Sequence, residues 1–183
     1  MTSASERAAL LRIGRDAITA HVTGVSRQSA AGSSPSNETA LDDRRNGAFV
    51  TIHHRGELRG CIGHIEGDDA LPRTVAQCAV AACSADPRFP PVTSAELPEI
   101  EIEISVLGPL EPAAGPADIE VGRHGLVVEM GGRRGLLLPQ VATEWKWDAA
   151  TFLAQTCRKS GLPGDCWQRG AKIWKFEAEV FGD

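Results

Sequence analysis

Residues Glu99 to Leu107 alternate between polar and apolar side chains, and this alternation constrains the fold more than any other feature of the sequence. A period of two residues is typical of a β-strand that has one face in a hydrophobic core and the other in solvent. The chain is therefore expected to build a sheet with one covered face. The apolar side carries Ile100, Ile102, Ile104 and Val106, and the polar side carries Glu99, Glu101, Glu103 and Ser105.

The other elements predict an α+β fold, in which an antiparallel sheet of hairpins packs with helices. Arg55–Gly56 joins two β-rich runs and Gly131 to Gly135 joins two more, so each pair is expected to form a hairpin. Because helices lie between hairpins, the pattern is not the repeating strand and helix order of a parallel sheet. Strands are predicted at 48–54, 57–62, 99–107, 126–130, 136–138 and 172–181, and helices at 5–22, 72–84 and 149–160.

Charge and length exclude several classes of protein. The formal net charge is −5 and the Lys and Arg residues are spread along the chain, so no nucleic-acid partner is expected. No apolar run reaches the length of a signal-peptide core or a membrane span, which favours a cytoplasmic protein with no membrane contact. The 183 residues are expected to form a single domain, 1–183, with a mobile Ser/Gly-rich connection at 24–46.

The cysteines are expected to be reduced thiols. The chain has five of them, an odd number, and no Cys-x-x-Cys pair. This pattern predicts neither a disulfide framework nor a metal site. No cofactor motif, such as a phosphate-binding glycine loop, is visible either.

The run Leu58 to Gly63 is the first candidate site, because it sets Cys61 between Gly60 and Gly63. Glycine inside a strand usually marks a bulge or a close approach of another group to the backbone. Cys61 is then either a reactive thiol or a small apolar residue that lets two layers approach each other. Both interpretations stay open at this level.

A hairpin with a two-residue loop at Arg55–Gly56 predicts that Cys61 faces Val50 and that Arg59 faces Ile52. Arg59 then lies on the same face as the thiol, about 7 Å along the strand, and could lower its pKa. His64 is three residues along from Cys61, so it points to the opposite face unless Gly63 turns the chain.

Three further residues are candidates from their position. His124, in a predicted turn, could act as an acid or base, or could simply bond to the turn backbone. Asp86 and Arg88 could bind an anionic ligand. Alternatively they cap the preceding helix and pin the loop, with Arg88 paired to a glutamate of the sheet.

Taken in order, the motifs of this chain resemble the AMMECR domain family. The resemblance implies an α+β fold with a larger and a smaller lobe. It also implies a Memo-like or radical-SAM protein as a companion, and no particular reaction. The motifs are Gly47 to Ile52, Leu58 to Gly63, Asp86 to Pro91, Ile104 to Leu107, Gly122 to Leu126, Gly135 to Val141, and Phe152–Leu153 with Cys157 and Gly161–Leu162.

Two functions are consistent with these residues. The first is a ligand or substrate cleft around the Leu58–Gly63 strand for an unknown small molecule, with Cys61 as the candidate reactive group. The second is a non-catalytic adaptor for a Memo-like or radical-SAM partner. The candidate catalytic residues are Cys61, His124 and His64, and the candidate ligand-binding residues are Arg59, Gly60, Gly63, Asp86 and Arg88.

Overall fold

A computed structural model describes residues 2–25, 41 and 43–183. The chain forms two compact units. Unit 1 comprises Met1–Val106 and Glu179–Asp183, and unit 2 comprises Leu107–Ala178. Most of the predicted Ser/Gly-rich connection at 24–46 lies outside the described residues.

Unit 1 places two helices against a three-stranded antiparallel sheet, in which β1 (Ala48–His54) lies between β2 (Glu57–His64) and β3 (Ile100–Leu107). Helix α1 begins after Ser3, whose hydroxyl forms a capping box with Glu6, and it ends before Gly24 in the left-handed conformation. The apolar faces of the helices and the sheet form one core, as the alternation predicts. The elements are α1 (Ala4–Thr23), β1 (Ala48–His54), β2 (Glu57–His64), α2 (Leu71–Ser84) and β3 (Ile100–Leu107).

Unit 2 has its own core and its own antiparallel strands. Strand β5 (His124–Met130) lies between β6 (Arg133–Leu137) and β7 (Lys172–Gly182), and the short β4 (Glu111–Pro112) pairs with the other side of β7. Asp148 caps the long helix through Thr151, as predicted. The elements are β4 (Glu111–Pro112), β5 (His124–Met130), β6 (Arg133–Leu137), α3 (Pro139–Glu144), α4 (Ala149–Lys159) and β7 (Lys172–Gly182), whose residues from Glu179 onwards belong to unit 1. The α+β class with a larger and a smaller part is confirmed.

The predicted register of the first hairpin is correct only next to the turn. His54 pairs with Glu57 and His53 with Leu58, but the register then shifts by one residue, so that Ile52 pairs with Gly60. Arg59 is the extra residue, as in a β-bulge. Cys61 therefore lies opposite Thr51 and not Val50, and the predicted pairing of Cys61 is wrong.

The prediction that all the cysteines are reduced is also wrong. Cys157, near the end of α4, and Cys166 form a disulfide whose Cα atoms are 6.1 Å apart. The two residues are nine positions apart in the chain, and the short 3-10 helix Cys166–Arg169 brings the second sulfur back to α4. Neither spacing nor local pattern signals this return. Cys61, Cys78 and Cys83 are free.

No helix among residues 2–25, 41 and 43–183 is long and apolar enough to cross a bilayer.

Candidate functional site

Cys61 lies in β2 with its side chain only partly buried, whereas Cys78 and Cys83 are buried. The Thr51 hydroxyl on the neighbouring strand donates to Cys61 Sγ at 3.3 Å. The backbone N–H of Cys61 donates to Asp86 Oδ2 at 2.9 Å. Thr51 on the neighbouring strand therefore fixes the thiol, and Asp86 in the loop after α2 fixes the backbone of Cys61.

The two glycines beside Cys61 let other groups approach β2. A Cβ at Gly60 would overlap with the carbonyl oxygen of Ala82 in α2. A Cβ at Gly63 would overlap with the ring of Phe49. Since the two glycines lie three residues apart, they serve opposite faces of the strand. Both glycines thus have a packing contact that explains their presence.

Asp86 organises the loop beside the thiol. Its side chain is only 2% exposed, and it accepts hydrogen bonds from Arg88 Nε at 2.9 Å and from Arg88 Nη2 at 2.7 Å. The hydrogen bonds from Arg88 hold the pKa of Asp86 well below its usual range. Arg88 thus pairs with Asp86, and the predicted pairing with a sheet glutamate is wrong. The loop is pinned, as one of the two interpretations expected.

Arg59, the bulged residue, holds the same loop from the other side. Its Nε donates to Glu96 Oε1 at 2.7 Å, and its Nη1 and Nη2 donate to the carbonyls of Pro90 and Pro91. The hydrogen bond from Arg59 lowers the pKa of Glu96 to about 2. The bulge therefore directs Arg59 to the loop, and Arg88 is the cation whose charge acts on the thiol.

The thiol rests in its neutral form. Burial raises the pKa of Cys61, and the carboxylates of Asp86 and Glu103 raise it further. The Thr51 hydroxyl and the charge of Arg88 act in the opposite direction without reversing the shift. Because only the thiolate is a strong nucleophile, the site needs a further event that removes the proton before Cys61 can attack a ligand.

The face of the sheet that carries Cys61 also carries two hydroxyls that sequence reasoning missed. Thr51 pairs with Cys61 on one side and with Glu103 on the other. Ser105 was expected on the solvent-exposed face, yet it is 1% exposed and its Oγ has no hydrogen-bond partner within the described residues. A buried hydroxyl without a partner is uncommon in a folded protein. In the sequence, the one sign of this buried hydroxyl is that the polar side of the strand changes from Glu101 and Glu103 to the smaller, uncharged Ser105.

The two histidine candidates lie in different surroundings. His64 is exposed at the end of β2 and pairs with Ala48, so it points to the face opposite Cys61, as the alternation predicts. His124 opens β5 in unit 2, where its Nδ1 accepts the backbone N–H of Glu120 at 2.9 Å. This contact bears out the interpretation of His124 as a residue bonded to its own turn.

Comparisons with known proteins place relatives of this chain among archaea. A model of the AMMECR1 family matches residues 11–181. A protein of Methanothermobacter thermautotrophicus is 44% identical over 186 residues, which cover 98% of this chain and 95% of the relative. Protein PF1979 of Pyrococcus furiosus is 47% identical over 146 residues, covering 74% and 70% respectively. The crystal structure of uncharacterized protein PH0010 from Pyrococcus horikoshii matches with a TM-score of 0.84 and 40% identity, covering 95% of this chain and 89% of that one.

Proposed function

The chain belongs to the AMMECR1 family, whose molecular activity is not established, and we propose that it holds a ligand or substrate cleft around the Leu58–Gly63 strand with Cys61 as the reactive group. The observation that carries this proposal is the accessibility of one thiol. All five cysteines lie within the described residues, and Cys61 is the one that is both free and not buried. A cytoplasmic location is part of the proposal; the three free thiols agree with it, and the Cys157–Cys166 disulfide is of a kind that is rare in a reducing compartment.

Arg88 gives this cleft its ligand chemistry. The side chain of Arg88 is 52% exposed, and within the described residues its Nη1 makes no hydrogen bond, so it can bind an anionic group of a ligand. The carboxylate of Glu103 raises the pKa of Cys61, so a ligand that places a positive group beside Glu103 would lower this pKa and favour the thiolate.

Selective alkylation of the native protein tests this proposal. Iodoacetamide followed by peptide mass spectrometry is expected to label Cys61, and to label Cys78 and Cys83 only after unfolding. Because the pKa of Cys61 is raised, its labelling rate should keep rising above pH 9. Cys61→Ser is the control, and Arg88→Gln should slow labelling further at a fixed pH. Equal labelling of the three free cysteines, or none at Cys61, would overturn the proposal.

The second candidate function, a non-catalytic adaptor, is favoured by the exposed residues of the loop Asp86 to Pro91. Arg88 lies over the ring of Phe89, with its Cζ 5.4 Å from the ring centroid, in a segment stiffened by Pro87, Pro90 and Pro91. If this surface docks on a Memo-like or radical-SAM partner, Arg88→Ala should abolish co-purification of that partner while Cys61→Ser leaves it intact. The reverse result would favour the cleft.

A further inference from the structure

Unit 2 contains a depression of about 480 Å³ that is independent of the Cys61 strand. Its floor is formed by β5 and β7, and its wall includes the 3-10 helix Pro116–Asp118. The residues that give it chemical character are His124, Lys175, Glu111, Glu120 and Arg123. All of them come from unit 2, so the depression is complete within that unit.

His124 brings to this depression a hydrogen-bond donor that has no acceptor within the described residues. The side chain is 9% exposed, and its Nδ1 accepts the N–H of Glu120, so the ring proton of the neutral imidazole is on Nε2. Within the described residues Nε2–H has no acceptor. Since His124 lines the depression and Nε2 is not sealed in the protein interior, this N–H can donate to an acceptor oxygen of a ligand in the depression.

Some charged side chains around His124 are paired with one another, whereas others have few contacts or none within the described residues. Arg123 donates to both Glu120 and Glu177, so these three side chains largely neutralise one another. Lys175 donates one N–H to the carbonyl of Asp118 at 3.2 Å and has further N–H groups to offer. The carboxylate of Glu111, which lies opposite Lys175 on β4, has no hydrogen bond or ion pair within the described residues.

We propose that this depression binds an ω-amino carboxylate, that is, a small molecule with a carboxylate at one end and an ammonium group at the other. The carboxylate accepts hydrogen bonds from His124 Nε2–H and from the ammonium group of Lys175. The ammonium group pairs with Glu111. Because the lining carries more acidic than basic side chains, a simple anion is disfavoured, whereas a molecule with both charges matches the donors and the unpaired acid.

The strand register sets the length of this ligand. His124 pairs with Glu177, and Lys175 pairs with Leu126 on one side and with Glu111 on the other. His124, Lys175 and Glu111 therefore share one face of three adjacent strands, β5, β7 and β4. Strands β5 and β4 are two strand spacings apart, roughly 10 Å. A ligand that reaches from His124 to Glu111 is therefore extended, which favours ε-aminohexanoate over glycine.

Titration calorimetry on the full chain tests the proposal with defined probes. We expect ε-aminohexanoate to bind, γ-aminobutyrate to bind less tightly and glycine not to bind. Hexanoate and hexylamine, which each lack one charged end, should bind about tenfold more weakly than ε-aminohexanoate, because each loses one charge-assisted contact. Equal binding of hexylamine would identify a site for cations only and would overturn the proposal, as would equal binding of glycine.

Three variants locate the binding. His124→Asn retains an oxygen that can accept the Glu120 N–H but removes the Nε2–H donor, so it should weaken ε-aminohexanoate about tenfold without unfolding unit 2. Lys172→Gln removes a cation from the same strand outside the depression and should leave binding unchanged. Cys61→Ser should also leave it unchanged. Undiminished binding in His124→Asn, or loss of binding in Cys61→Ser, would contradict the assignment.

Discussion

Units 1 and 2 repeat one arrangement of elements although the sequence shows no internal repeat. In each unit a hairpin comes first, and its first strand is the central strand of the three. A helix follows the hairpin, and a later strand then pairs with the free side of the central strand. The elements are β1, β2, α2 and β3 in unit 1, and β5, β6, α4 and β7 in unit 2. In each, a glycine of the second hairpin strand contacts the end of the helix. Gly60 faces the carbonyl of Ala82, and Gly135 faces Ser160.

The loops that follow the two helices are fastened by different chemistry. In unit 1 the loop is held by two ion pairs, Arg88 with Asp86 and Arg59 with Glu96. In unit 2 the corresponding loop is closed by the disulfide between Cys157 and Cys166. Loop closure is thus electrostatic in one unit and covalent in the other. Cys61, beside the first loop, is a free thiol.

The largest effect is expected from Gly60→Ala. The new Cβ would overlap with the backbone oxygen of Ala82, so α2 must move away from the sheet, at a cost of about 3 kcal/mol or more in the stability of unit 1. Amide hydrogen exchange should show the loss in α2 and β1. As a control, a Cβ at Gly14 makes only ordinary contacts, so Gly14→Ala in α1 should be neutral or stabilising. Equal effects of the two substitutions would contradict the close packing at Gly60.

Removal of the disulfide is the next largest effect, and it should fall on unit 2. Replacing Cys157 and Cys166 by serine frees a short loop and should lower the stability of that unit by about 2–3 kcal/mol. All four tryptophans lie in unit 2, so denaturant unfolding followed by their fluorescence reports this change. A reducing agent should have the same effect on the native chain and none on the double variant. A midpoint that is insensitive to reductant would show that the two sulfurs are not bonded.

Acid should destabilise unit 1 and not unit 2, because the loop of unit 1 is held by ion pairs and that of unit 2 by a disulfide. Glu96 has an ordinary pKa of 4.5 that falls to about 2 in the folded protein, so its contribution is present above pH 4.5 and is lost as the pH falls towards 2. The loss is on the order of 2 kcal/mol, because the side chain is mostly buried. The lowered pKa of Asp86 extends the loss to still lower pH. In Glu96→Gln, hydrogen exchange in unit 1 should depend less on pH over this range.

The sequence predicted the elements of both units better than the details that define the candidate site. Helices and strands follow from local periodicity and caps, which is why α2 and α4 were placed within a residue or two. The bulge at Arg59 was missed because one extra residue does not disturb the apolar pattern of β2. The disulfide depends on how a loop returns to its helix, which no local pattern encodes. The pairing of Arg88 with Asp86 is local, because the backbone N–H of Arg88 also donates to Asp86 Oδ1 in a turn, and the Asp-Pro-Arg sequence could have indicated it. Ser105 was misplaced because an alternating strand does not reveal what covers its polar face.

The smallest effect, and the sharpest test of electrostatic closure, is a double-mutant cycle on Arg59 and Glu96. Both side chains are largely buried, so their coupling in the stability of unit 1 should be about 1–2 kcal/mol. The matched cycle on Arg123 and Glu177 in unit 2 concerns an ion pair in which both side chains are exposed, and it should give no measurable coupling. Salt should weaken the first coupling only slightly because water is excluded from the pair. Similar coupling energies in the two cycles would mean that the loop of unit 1 is held by its carbonyl contacts with Arg59 and not by the ion pair.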